Sequence, residues 1–212
     1  MDRMTNKQSP SFVVAISGPS GSGKTSLVQK VTSLLEDAVS FYFDDYASVS
    51  KYPSNFSEWI REGADPNQWE TPQLLKDLQM LRHGESISLP DNKGMIKAAS
   101  FIVIEEPFGR ERAEMNGLID FVACIDLPLE VALARRLLRD VEWCLIKRNP
   151  EYLAAYLKEY LTGYLNGATR EMYLQVNARV LKNCDLVLNG VSSVDELADE
   201  IVTAIKTKLG AV

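Results

Sequence analysis

The chain has 212 residues, 46% of them hydrophobic and 25% charged, an ordinary balance for one sizeable α/β domain or one carrying a small helical attachment. A net charge of -6 and a pI near 5.0 exclude a general nucleic-acid surface, and no apolar run approaches the roughly 20 residues of a membrane helix. Cys124, Cys144 and Cys184 are widely spaced, form neither a metal-ligand spacing nor a disulfide framework, and read as small core residues in a reducing cytoplasm.

In chain order, residues 1–10 (MDRMTNKQSP) read as a flexible polar tail without the apolar core of a signal peptide, so a cytoplasmic protein is expected. Phe12–Ser17 (FVVAIS) is a nearly continuous apolar run, the pattern of a strand covered on both faces. It leads into GPSGSGKT, residues 18–25, which matches G-x-x-x-x-G-K-[ST], and a helical pattern over Lys24–Leu35 follows. Glycines let such a loop wind around phosphates with its amides inward, and the helix N-terminus adds positive potential. The candidate nucleotide contacts are therefore Gly18, Ser20, Gly21, Ser22, Gly23, Lys24, Thr25 and Ser26. Lys24 can span the β- and γ-phosphates of ATP, and the Thr25 hydroxyl can bind Mg²⁺. By average residue frequencies the octet arises by accident in about one chain in a hundred of this length.

A second strand is expected at Val39–Phe43 and ends on Asp44 and Asp45, either of which could take a proton from an acceptor hydroxyl or hold magnesium through water; the competing reading is a solvated turn. Ser48–Thr71 reads as a long binding loop with one short helix, and its Trp59 and Trp69 either stack on a substrate or anchor the loop. A helix over Pro72–Arg82 ends at His83 and Gly84, which makes His83 a helix terminus rather than a base. The third strand, Phe101–Ile104, ends on Glu105 and Glu106; Glu105 is the candidate metal-ordering carboxylate, since Glu106 precedes a proline and belongs to the loop.

The fourth strand, Phe121–Asp126, runs into a helix over Leu129–Lys147 carrying Arg135, Arg136 and Arg139. Spaced three and four apart, these guanidinium groups cluster on adjoining faces and suit a phosphoryl clamp as well as a solvated face; Arg136 and Arg139 are the candidate lid arginines. Glu151–Asn183 is helical but interrupted by Gly163 and Gly167, and Tyr152, Tyr156, Tyr160 and Tyr164 form a packing stripe whose second reading is an interface with another copy of the chain. A last strand at Asp185–Leu188 and a helix over Val194–Leu209 complete the pattern. Strands alternating with helices predict a P-loop α/β fold: a five-stranded parallel sheet with helices on both faces, a helical lid within 129–183, and ligands at the carboxyl ends of the strands.

The segments GPSGSGKTS, FDDY, VIEE, FVACIDLPLEVALARRLLRDV and CDLVLNG together resemble the uridine kinase and phosphoribulokinase family of P-loop kinases across most of residues 12–190. That resemblance implies ATP and Mg²⁺ at Lys24 and Thr25, Asp44 as the catalytic aspartate, Glu105 beside the metal, and Arg136 and Arg139 in the lid. It sets Asp45, Tyr46, Asp65 and Trp69 on the acceptor side, with Asp65 in the region of a ribose-binding aspartate. The chain departs from the family at residues 141–148 (VEWCLIKR), where further lid arginines are usual and only Lys147 and Arg148 remain basic. It departs again at 89–94 (LPDNKG), where the family carries pyrimidine-side residues, and at Glu106-Pro107, where a glycine is usual. The resemblance implies a kinase for a nucleoside or nucleoside-like hydroxyl compound; a nucleotide kinase and a regulatory ATP-binding module remain the alternatives.

Overall fold

The computed structural model describes residues 9–147 and 149–210, so most of the expected tail, and Arg148, lie outside the described residues. In chain order the elements are β1 (Phe12–Ser17), α1 (Lys24–Leu34), β2 (Ala38–Tyr42), α2 (Phe56–Arg61), α3 (Pro72–Arg82), a two-rung antiparallel hairpin of β3 (Ile87–Ser88) and β4 (Met95–Ile96), and β5 (Phe101–Glu105). They continue with β6 (Phe121–Asp126), α4 (Leu129–Lys147), α5 (Pro150–Asn166), α6 (Thr169–Lys182), β7 (Leu186–Asn189) and α7 (Val194–Lys208). Five strands pair in parallel in the order β2-β5-β1-β6-β7, the doubly covered P-loop α/β sheet that the apolar runs predict.

Alternation along β1 divides the core. Val13 and Ala15 face one side, with Phe41, Ile102, Ile104 and Val122, beneath Leu74, Leu78 and Leu81 of α3. Val14 and Ile16 face the other, under Leu27, Val28 and Val31 of α1 and Leu197, Ile201 and Ile205 of α7. The i, i+4, i+7 spacing of the α3 leucines and the i, i+4, i+8 spacing of the α7 residues give each helix one buried stripe. A reciprocal capping box between Ser193 and Glu196 fixes where α7 starts.

Apart from one-residue shifts at the ends of α1, β5, β7 and α7, three features differ from the sequence expectation. Phe43 leaves the second strand and opens a 3-10 turn over Phe43–Val49, so Asp44 and Asp45 sit on a helical turn rather than an extended end. The long helical stretch breaks at Gly167 alone: a Cβ there would lie 2.5 Å from the Gly163 carbonyl oxygen, whereas one at Gly163 would meet open space. Periodicity missed the β3–β4 hairpin, because two-residue strands are too short to show alternation.

Past β5, Glu106 and Arg112 form an ion pair at 2.7 Å with both side chains wholly buried. Burial pushes the Glu106 carboxyl above its usual range, and the Arg112 guanidinium pulls it back. Arg112 also donates to Thr71 Oγ1, to Glu114 at 2.8 Å and to the Trp69 carbonyl at 3.4 Å, stapling the 43–71 region to the strand end. Arg112→Met should strand a buried carboxylate and lower stability in urea by about 3–5 kcal/mol, whereas the pair Arg112→Met with Glu106→Leu should lose less than that single change. A single variant within about 1 kcal/mol of wild type would contradict this role for the pair.

Candidate active site

Parallel pairing sets Ile16 beside Glu105, so β1 and β5 end together and the loop after β1 turns over the end of β5. Thr25 Oγ1 donates to Glu105 Oε2 at 2.7 Å, and Lys24 Nζ lies 3.5 Å from Glu105 Oε1 and 3.2 Å from the Pro19 carbonyl oxygen. Lys24 is only 9% exposed, so its charge is held at the mouth of α1. No side chain caps α1, whose first-turn amides remain available to an anion. A hydroxyl and a carboxylate suit a hard cation that keeps several waters, and among the described residues no cluster of three or more His, Cys, Asp or Glu offers another metal site.

Helix α4 lies directly on the phosphate loop. A Cβ on Gly21, whose φ is +89°, would meet the Ala132 carbonyl oxygen at 2.1 Å. From α4, Arg136 Nη1 donates to Ser20 Oγ at 2.8 Å and to the Tyr173 hydroxyl at 3.3 Å. Burial works against the charge of Arg136, but Tyr173, Tyr160, Tyr156 and Asp140 outweigh it and raise its pKa above the ordinary arginine value. Arg139, one turn on, is largely exposed and, among the described residues, pairs only with its neighbour Asp140 at 3.4 Å.

The phosphate loop, α4, α6 and residues following β2 and β5 line one cavity of about 690 Å³. Asp44 lines the same cavity as Lys24, solvent-exposed and without a hydrogen bond or ion pair to any described residue. Beside Asp44 the wall is aromatic. The Trp69 ring centroid lies 5.2 Å from that of Phe108 and 6.3 Å from that of Phe43, and the indole N–H is buried with no protein acceptor. Met172, Val176 and Asn177 of α6 also line the cavity.

The other residues singled out by sequence are placed as follows. Gly18, Gly23 and Ser26 line the cavity, while Ser22 is buried beneath the loop with its hydroxyl unpartnered. Asp45 turns away to Lys93 at 3.1 Å, docking the β3–β4 hairpin tip. Tyr46 points into the core, its hydroxyl donating to Asp77 at 2.8 Å, and burial raises its pKa. Asp65 caps the 3-10 turn over Pro66–Gln68 by accepting from the Asn67 amide at 3.0 Å, outside the cavity lining. Trp59 is an anchor, buried with its indole N–H on the Asp65 carbonyl at 2.8 Å. Lys147 is exposed at the end of α4 and does not line the cavity. Cys124 is a core residue whose thiol burial pushes up to about 12. Phe43, Phe108 and the α6 face were missed; the M-Y-x-x-V-N spacing reads as an ordinary packing stripe until the helix is seen against the cavity.

Comparison with known proteins supports the P-loop fold. Residues 3–210 match the model of the KAP family P-loop domain, and the chain belongs to that family. Among curated relatives, "Uridine kinase" of Macrococcus caseolyticus is 25% identical over 94% of this chain and 98% of its own, and "Uridine kinase" of Borrelia duttonii is 26% identical over 83% and 85%. The fold is shared with APS kinase of Mycobacterium tuberculosis, solved in complex with AMPPNP and APS (TM-score 0.56, 18% identity, 94% of this chain and 99% of that one). It is also shared with a "Possible Uridine Kinase" from Bacillus stearothermophilus (TM-score 0.52, 19% identity, 88% and 92%).

The contact of α4 with the loop is open to test at Gly21. Gly21→Ala should weaken Mg-ATP binding at least about tenfold, since it adds a backbone clash to a φ that costs an L-residue roughly 1–2 kcal/mol. Gly84→Ala, at φ +85° with nothing within 4 Å, carries the strain without the clash and should bind Mg-ATP as wild type does. Equal affinities in titration calorimetry would mean that the loop does not need this close approach.

Proposed function

We propose that this KAP-family P-loop chain is an ATP-dependent kinase that transfers the γ-phosphate to a hydroxyl of a small molecule, a nucleoside or nucleoside-like compound. One observation carries the reading: the phosphate loop and a carboxylate without a partner among the described residues, Asp44, line one and the same cavity. A plain ATP-binding switch needs no such group, whereas transfer to an alcohol needs a proton acceptor near the attacking oxygen. The relatives named uridine kinase support the same chemistry.

In this mechanism Lys24 and the uncapped amides of α1 hold the phosphates, and Thr25 and Glu105 would hold Mg²⁺. The metal, when bound, neutralises charge on the β- and γ-phosphate oxygens. Asp44 accepts the proton of the acceptor hydroxyl while that oxygen bonds to the γ-phosphorus and the bond to the β–γ bridging oxygen breaks. Arg136 and Arg139 offset the charge that spreads over the transferring group. Phe43, Trp69 and Phe108 favour a planar ring on the acceptor.

A nucleotide acceptor fits this cavity less well. The cations lining it, Lys24, Arg135, Arg136 and Arg139, belong to the phosphate loop and the lid, and Arg112 behind the aromatic wall is consumed by Glu106 and Glu114. A panel of nucleosides, their monophosphates, vitamins and sugars, followed by ADP release above the no-acceptor rate, tests the proposal; release with no member of the panel would count against a kinase. With an acceptor in hand, Asp44→Asn should slow transfer about 100- to 10,000-fold at nearly unchanged Mg-ATP affinity. Full activity in that variant would remove the base from the mechanism, and undiminished turnover in Lys24→Ala would remove the phosphate loop.

A further inference from the structure

Helix α5 takes no part in the sheet, and Tyr164 is its one buried residue, yet it carries four tyrosines on a single stripe. Their rings run along the helix with centroids 6.5, 6.1 and 6.3 Å apart. Leucines would satisfy packing alone. What phenols add is visible at Arg136. Its guanidinium carbon lies 4.6 Å from the Tyr160 ring centroid, a cation–π distance. Its Nε is 3.4 Å from Asp140 Oδ2, and that same oxygen accepts the Tyr156 hydroxyl at 2.6 Å. Its Nη1 reaches both Ser20 of the phosphate loop and Tyr173 of α6. Arg139 has no comparable enclosure, its side chain being 63% exposed. Two arginines three residues apart on one helix are thus treated differently.

We propose that Tyr156, Tyr160, Tyr173 and Asp140 form a cage that positions Arg136 over the phosphate loop before nucleotide arrives, so that the protein reads the presence of a third phosphate through this one guanidinium. In the nucleotide-free protein the Ser20 hydroxyl supplies the oxygen that a terminal phosphate oxygen replaces. A flexible arginine would lose rotamer freedom on meeting the phosphate; a caged one has already lost it, and the difference appears as affinity for the triphosphate. Tyr156 reaches Arg136 through Asp140, which also pairs with Arg139 at 3.4 Å, and both are positioning residues. Tyr173 also lines the cavity, which ties the cage to the lining from α6. The inference rests on the phosphate-loop part of the reading above and is independent of the acceptor's identity.

Titration calorimetry with Mg-AMP-PNP and with Mg-ADP tests it without any acceptor. Tyr156→Phe and Tyr173→Phe keep the ring and remove one hydroxyl. Each should weaken Mg-AMP-PNP about tenfold, the scale of one hydrogen bond to a charged group, and leave Mg-ADP within about twofold. In an Arg136→Met background the same two changes should have no further effect, since the group they position is gone. Equal losses for both nucleotides, an unchanged affinity for Mg-AMP-PNP, or the same loss in the Arg136→Met background would each overturn the cage. Failure of the wild-type protein to bind either nucleotide would overturn the phosphate-loop reading itself, a result distinct from the other three.

Discussion

The site depends on one register. Because Ile16 of β1 pairs with Glu105 of β5 in a parallel ladder, the carboxylate that ends β5 arrives beside a loop and helix start whose Thr25 is 80 residues away in sequence. Parallel pairing aligns the carboxyl ends of all five strands on one rim, and a shift of one residue would send Glu105 to the opposite face of the sheet. The register is secured by the core, where Val13 and Ala15 fit under α3 while Val14 and Ile16 fit under α1 and α7. Both faces are apolar and filled, so a slipped strand would pay on both sides.

The two carboxylates that follow β5 are adjacent in sequence and do different work. Glu105 holds the loop through Thr25 and Lys24 at the cavity. Glu106, one residue on, is sealed inside against Arg112, and its carbonyl accepts the Ser17 hydroxyl at 2.6 Å. A pair buried this deeply adds little net stability over well-packed apolar residues, so its value lies in what Arg112 reaches. That guanidinium ties Trp69 and Thr71 to the end of β5, and it stands 5.5 Å from the Phe43 ring centroid, behind the aromatic wall of the cavity.

The cavity is chemically divided. Its phosphate half is cationic, built from the loop and from α4, which approaches closely because residue 21 is glycine. Another part of its lining is aromatic, from Phe43, Trp69 and Phe108, and the carboxylate of Asp44 lines it too. Helix α6 connects the two parts, since it lines the cavity through Met172, Val176 and Asn177 and, with α5, contacts Arg136. Closing such a site around both reactants would exclude water from the transferring group.

The sequence by itself determined the layers and the phosphate loop. Apolar runs with no alternation can only be strands covered on both faces, and the glycine-lysine-threonine octet between a strand and a helix admits few other uses. Periodicity also placed α3 and α4 at their observed limits, because each helix carries its pattern locally. What only the tertiary structure decided are the meetings between distant elements. Asp44 and Asp45 are neighbours that spacing alone does not tell apart, although the family resemblance favours Asp44; the ion pair of Asp45 with Lys93 comes from a hairpin too short to announce itself. Tyr46 faces inward because a 3-10 turn after β2 rotates it toward Asp77. The tyrosines of α5 read as packing until Arg136 is found against them. A local pattern tells which face of an element is special, but the partner of that face is set by chain far away, and neither spacing nor composition encodes it.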